Sequence, residues 1–460
     1  MNFKQIITLI VFLLSLPITG QQFSKADVLS DLKYLKSSLE EAHFNLYGHV
    51  TKAEFDKNYL AVRSEIQKDS LSLFEITNLF QKMIAKANNA HTTINFPVQA
   101  YYDHMDLGGT NFPLEIVIEN GKALIRKNWS TNANITIGSE LKSINGSQIE
   151  QILRKIYTQI PAERLYFKNA LLESFSFPRY YWQVFKEAKE FEVEIEKNGV
   201  LTKQKINSIK AVDYETERYN YDIMKMDWKF EKLSNSIGYL RPGKFNGDLS
   251  KYKSFIDSAF IEINNNKLSD LIIDLRNNPG GDDTFGDYMV SYFADRPFKW
   301  HSRFQLKSSA ILKDYIRKHR DTTKAYAKSI LNHKDGEIYD YNWDEYQPQK
   351  EEKRYKGNIY VLVNRHSYSQ STVTSAQIQD YGFGTIVGEE TAEFPNLYAS
   401  IFEYKLPKTE ITVKVPKGKI QRVSGIDNGT GLIPDILIND ELSNEKDEIL
   451  EKLLKRIKTE

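Results

Sequence analysis

Apolar residues recur at helical spacing through the first part of the chain. Val28, Leu32, Leu35 and Leu39 make one stripe, Phe55, Tyr59, Val62 and Ile66 a second, and Phe74, Ile76, Leu79, Phe80, Met83 and Ile84 a third. An N-terminal helical domain is expected over 21–97, with His91 in a polar turn where the third helix ends. From Asn111 the period changes to two. The stretches FPLEIVIENGKALIRK and FEVEIEKNGVLTKQKI alternate on either side of Asn120-Gly121 and Asn198-Gly199, dipeptides that suit tight hairpin turns. Between them, IGSELKSINGSQIEQILRKI reads as a strand, an Asn-Gly turn and an amphipathic helix through Ile149, Ile152, Leu153 and Ile156. A small β domain is expected over 98–210. Beyond it, Ile237 to Leu240, Leu268 to Arg276, Ile359 to Asn364 and Thr385 to Gly388 are apolar runs that suit buried strands, and helical stretches fall between them. An α/β domain over 211–460 follows. Within it, 299–355 is charged, rich in Lys, Asp and Tyr, and lacks sustained periodicity, so it reads as an insertion or lid. A last amphipathic helix is expected between Asp440 and Lys458.

A chain of 460 residues, 41% of them hydrophobic, can fill two or three cores. Lys plus Arg number 62 and Asp plus Glu 61, a net charge of +1, and nothing in that balance argues for nucleic acid as a partner. The absence of cysteine excludes disulfides, thiol chemistry and a lipid-bearing cysteine. Residues 1–20 read as a secretory signal, with Lys4 ahead of an apolar Ile6 to Leu16 and a small-residue exit before Gln21. That apolar stretch is short of the ~20 residues a spanning helix needs, so export to a bacterial periplasm or beyond is expected, without a stable membrane anchor. No H-E-x-x-H, P-loop or dinucleotide fingerprint occurs, and neither a metal nor a cofactor is expected.

Chemistry concentrates at two turns. Ser369 lies between the Ile359 to Asn364 run and the helical stretch Gln370 to Asp380, where a hydroxyl can stand at the carboxyl edge of a sheet beside the first free N–H groups of a helix. An ordinary N-cap serine would sit there too. The second turn, Asn277 to Gly281, follows the buried run ending at Arg276, and its glycines can expose backbone N–H groups to an oxyanion. DLRNNPGG, followed about 90 residues later by a strand, a Ser-rich turn and QDYGFGTIVGEET, resembles the superfamily of tail-specific (C-terminal processing) proteases and tricorn core proteases. That resemblance implies a crotonase-like α/β catalytic domain, a PDZ-like β domain over 98–210 and the N-terminal helical domain beside them. It also selects the nucleophile among Ser367, Ser369 and Ser371, because the family's serine precedes the Gln of QDYG by ten residues and Gln379 is that Gln.

A serine nucleophile needs a base. The lysine of tail-specific enzymes has no counterpart: between Ser369 and Lys405 there is no lysine or arginine, and the loop after Thr391 reads AEFPN. The tricorn-like branch uses histidine, and its His-Thr pattern before a strand matches His91. His366 is a weaker rival, since its side chain precedes the turn. With an unperturbed pKa of about 6.5, a histidine base would set an acid limb of activity at roughly pH 6 to 7.5. The carboxylate that assists histidine in tricorn corresponds here to Asn428, with Asp427 directly before it. Asparagine can orient an imidazole but cannot stabilise the imidazolium as a carboxylate does. Gly280 or Gly281, with Gln370, would supply the oxyanion donors. The expected function is an exported serine endopeptidase acting on extended or unfolded polypeptides, with a non-catalytic peptide-binding protein on the same fold as the alternative.

Overall fold

The computed structural model describes residues 21–459 except 222, 225, 442, 443 and 445, so the expected signal at 1–20 lies outside the described residues. Three helices, Lys25–Ala42, Lys52–Glu65 and Leu73–Ala85, open it. Their starts follow from local chemistry. Ser24 accepts from the Asp27 N–H, and Thr51 with Glu54 and Ser72 with Glu75 form capping boxes that satisfy the free N–H groups of the first turn. Their apolar faces share one core with an antiparallel sheet ordered Ile338–Asp340, Arg303–Lys307, Thr412–Gln421, Leu397–Lys405.

The fifth strand of that sheet is Thr93–Ile94, beside Thr412–Gln421, and two of the five come from 299–355. The sequence reads this stretch as an irregular insertion, yet it folds into two strands and the helices Ala310–His319 and Ala325–Asn332, and Phe304, Leu306, Leu312 and Ile330 are buried in the core they share with the N-terminal helices. Its elements are too short, three to ten residues, for a period to emerge against so many charges.

A second antiparallel sheet runs Val200–Asn207, Glu190–Lys197, Glu140–Ile144, Lys122–Asn128, Leu114–Glu119. Its two long hairpins turn at Asn120-Gly121 and Asn198-Gly199, all four residues at positive φ, as the alternation implies. Helices Ile149–Ile156, Leu165–Phe175 and Phe177–Phe185 complete this core. The last two were not anticipated, although Ser176 as N-cap and Pro178 in the first turn are ordinary helix-start signals.

The third sheet carries the site. Its order is Lys229–Lys232, Ile237–Arg241, Asp270–Asp274, Asn358–Val363, Thr385–Gly388, Ile436–Leu437, parallel except for the first strand. Alternate residues serve opposite faces. Leu271, Ile273, Val361 and Val363 pack under helices Leu249–Asn265, Asp283–Val290 and Gln370–Tyr381, while Ile272 and Leu362 meet Ile449 and Leu453 of helix Glu448–Ile457. Burial on both faces explains the unbroken apolar runs in the sequence. Among the described residues, no helix is long and apolar enough to cross a membrane.

Candidate active site

Two neighbouring parallel strands end side by side, with Asp274 opposite Leu362. Each runs into a sharp loop, and the loops are stitched together. Asn277 N–H donates to Asn364 Oδ1 at 3.0 Å, Asn364 Nδ2 donates to Asn277 Oδ1 at 2.9 Å, and Tyr368 N–H donates to the Asn278 carbonyl at 3.1 Å. Ligands of open parallel sheets bind at this carboxyl edge. Ser369 follows Tyr368 at φ 55° and ψ −130°, a conformation that costs a non-glycine residue about 1–3 kcal/mol and persists only where the surroundings enforce it. Its side chain caps nothing in helix Gln370–Tyr381, so it is not the ordinary N-cap serine. Instead its Oγ lies 3.2 Å from His91 Nε2.

His91 reaches the elbow from the N-terminal part. The chain leaves helix Leu73–Ala85, turns through Asn88 at φ 49°, and is then held as Thr93–Ile94 pairs with Lys414 and Val413 of the long antiparallel strand. A buried chain of hydrogen bonds, from His43 Nε2 to Thr92 Oγ1 at 2.8 Å and from Thr92 Oγ1 to Asn89 Oδ1 at 2.9 Å, braces the turn. The other rivals are engaged elsewhere. His366 is fully buried with Nε2 2.9 Å from Glu173 Oε2, Ser367 Oγ donates to the Leu275 carbonyl at 2.7 Å, and Ser371 Oγ to the same carbonyl at 3.4 Å.

The group beside the far nitrogen of His91 is Glu393, which the sequence reading missed. Glu393 Oε1 lies 3.2 Å from His91 Nδ1, without the alignment of a fully formed hydrogen bond, and Oε2 accepts the Ser369 N–H. Asn428 and Asp427, expected to orient the histidine, do not. Both are exposed, and Asn428 Oδ1 accepts from Thr430 of its own loop at 2.7 Å. The signal for Glu393 was an acid in the loop where the resemblance puts a lysine.

Gly280 and Gly281 differ in what they offer. The Gly280 N–H is taken by Asn278 Oδ1 at 2.8 Å. Among the described residues, no hydrogen bond involves the N–H of Gly281 or of Gln370, and these two remain for an oxyanion. The approach is close enough that a Cβ on Gly280 would stand 2.5 Å from Gln370 N and 3.0 Å from Ser369 Cβ. Beside them opens a cleft of about 240 Å³ with Trp300, Phe304, Trp343, Val373, Leu397 and Ile420 in its walls. Apolar walls with few polar groups at one end suit a side chain held beside a reacting carbonyl.

Burial sets the charges. His91 is pushed down to about 4 and stays neutral at physiological pH. Its titration therefore does not fall in the pH 6 to 7.5 window expected from an unperturbed imidazole. Glu393 is raised well above the usual carboxylate range by burial and then by Glu163, with the Ser369 N–H opposing, and burial raises Glu163 to about 7.

Residues 236–438 match the model of a family described as Peptidase family S41. The matched region takes in Gly281, Ser369 and Glu393 but not His91. Among solved structures, mature CPAF aligns with 94% of this chain and 96% of its own at 15% identity and a TM-score of 0.66. Mature CPAF complexed with lactacystin aligns with 94% and 98% at 15% identity and a TM-score of 0.64. At that identity the likeness is one of fold, and it spans nearly the whole of both chains. No curated protein matches the sequence.

Proposed function

From the match of residues 236–438 to peptidase family S41 we propose that the chain is a serine endopeptidase with Ser369 as nucleophile, His91 as base and Glu393 as the carboxylate behind the base. The observation that carries the proposal is the 3.2 Å contact of Ser369 Oγ with His91 Nε2 at a strained strand-to-helix turn. Ser369 Oγ attacks the scissile carbonyl while its proton passes to His91 Nε2. Negative charge then develops on the carbonyl oxygen, toward the Gly281 and Gln370 N–H groups. Ionised Glu393 keeps the imidazole proton on Nδ1, which leaves Nε2 free to accept, and it offsets the imidazolium charge that follows. The same proton goes to the leaving amine, and water, activated in turn by His91, hydrolyses the acyl-enzyme.

The substrates in this reading are extended or unfolded polypeptides, since the apolar-walled cleft of about 240 Å³ beside Ser369 suits one side chain of an extended chain. The parallel sheet with helices on both faces supports a crotonase-like description of 211–460. The Asn145-Gly146 turn leading into helix Ile149–Ile156 beside a small antiparallel sheet supports a PDZ-like one for 98–210. The basic start and short apolar core of residues 1–20 support export, to a periplasm or beyond.

Incubation with a fluorophosphonate at about pH 8, where histidine is neutral, followed by intact-mass measurement, tests the proposal. One phosphonyl adduct on the parent and none on Ser369→Ala is expected. Absence of a Ser369-dependent adduct would contradict it.

A further inference from the structure

His91, Ser369 and Glu393 come from separate stretches of chain, and the residue immediately before each of them belongs to one small apolar cluster. Ala90, Tyr368 and Ala392 pack there with Ala162, Phe167 and Ala170, and the Phe167 and Tyr368 rings lie 5.7 Å apart. The shared partner is the start of helix Leu165–Phe175, which belongs to the β-sheet part of the molecule and not to the matched family region.

Two consecutive polar residues at that point reach in different directions. Glu163 Oε1 accepts from Asn89 Nδ2 at 2.9 Å and from the Ala90 N–H at 3.3 Å, gripping the turn that bears His91. Arg164 donates from Nε to the Ala392 carbonyl at 2.8 Å, from Nη2 to the Thr391 carbonyl at 2.6 Å, and from Nη1 to Glu390 Oε1 at 2.6 Å, gripping the loop that bears Glu393. We propose that Glu163 and Arg164 are positioning residues, a two-sided clamp that sets His91 and Glu393 against each other. Neither touches the reacting atoms. One residue holds the turn and the next holds the loop, and the His91–Glu393 contact lacks the alignment of a fully formed hydrogen bond, so small shifts of either segment change it. A displacement of about 1 Å in such a constellation can cost on the order of 10²-fold in rate.

Glu163 has a second effect. Its Oε2 is buried without a hydrogen-bond partner, and its charge opposes ionisation of Glu393. The charged or titratable groups facing this pair are His91 on the N-terminal turn and Arg164 and Lys168 on the helix side, with Glu390 of the loop paired to Arg164. Replacing Glu163 by Gln keeps a carbonyl acceptor for Asn89 and Ala90 and removes the charge, which separates grip from electrostatics.

The clamp rests on the peptidase reading for its kinetic readout only. Second-order rates of fluorophosphonate labelling are measured against pH for the parent, Arg164→Met, Arg164→Lys and Glu163→Gln, with melting temperatures alongside. Arg164→Met is expected to label about 10- to 100-fold more slowly, Arg164→Lys to recover part of that loss, and Glu163→Gln to move to lower pH the acid limb that ionisation of Glu393 sets. Labelling of Arg164→Met within twofold of the parent, together with an unmoved limb in Glu163→Gln, overturns the clamp. Should Arg164→Met fail to fold, the Glu163→Gln limb decides. If the parent itself gives no adduct, the peptidase reading fails separately, and ¹⁵N shifts of the His91 imidazole decide: unchanged shifts in both variants overturn the clamp, and altered ones uphold it.

Discussion

The two halves of the site are built in opposite ways. Ser369 and the glycine loop stand on adjacent parallel strands, and each loop follows its strand within a few residues, so hydrogen bonds of Asn277 with Asn364 and of Asn278 with Tyr368 suffice to fix them. His91 and Glu393 share no strand. They meet because an N-terminal turn and a loop after the fourth parallel strand are both held by residues 163 and 164. The nucleophile half is local and stiff, with Asn277 and Ser369 both held at positive φ. The base half depends on packing between distant segments. Damage to the first is expected to appear as lost folding or lost chemistry outright, and damage to the second as slowed chemistry in a folded protein.

The largest effect on chemistry is expected at His91. His91→Ala should slow labelling of Ser369 on the order of 10⁴-fold while leaving the melting temperature near that of the parent. A smaller loss there would reopen the assignment of the base. The largest structural effect is expected at Gly281, which stands at φ 143° where an added Cβ would come within 1.9 Å of the Phe245 carbonyl oxygen. Gly281→Ala should cost about 2 to 4 kcal/mol in urea unfolding. An unchanged midpoint would mean that the loop moves freely, contrary to the stitched arrangement. The smallest effect is expected at Asn428, exposed and bonded within its own loop. Asn428→Ala should label within twofold of the parent, and a large loss would return the orienting role to that residue.

The same contrast explains what could be read from the sequence. The turn bearing Ser369 and Gln370 and the loop bearing Gly281 are legible because strand, turn and helix signals are local (apolar runs, paired glycines and a serine-rich turn), while the choice of Ser369 among its neighbours comes from the resemblance. His91 was legible only through the resemblance, since nothing in NAHTT announces what the ring will face. The resemblance points to Asn428 for the carboxylate and places a lysine in the loop that holds Glu393. Its partner lies about 300 residues earlier in the chain, and periodicity carries no such distance. Nor does periodicity reveal helix Leu165–Phe175, whose start packs behind the clamp, or helix Phe177–Phe185. Their composition is strongly aromatic, which blurs the polar face that marks a helix. The elements of 299–355 were hidden by their shortness, although Trp300 and Phe304 from that stretch form part of the cleft wall.

The central claim is that a buried carboxylate at position 393 orients and steadies His91. The most direct measurement is the rate of Ser369 labelling against pH in the parent and in Glu393→Gln. Because burial pushes His91 down to about 4, the imidazole is already neutral across the accessible range and its own titration leaves no limb above that pH. Burial and the neighbouring Glu163 raise Glu393, so in the parent its ionised form, and with it the productive tautomer, accumulates only above the ordinary carboxylate range. The parent should therefore gain rate with pH well above the ordinary carboxylate range. Glu393→Gln should be slower by about 10² to 10⁴-fold at the plateau and should lose that limb. A variant that labels as fast as the parent, or that keeps the limb unchanged, would contradict the account.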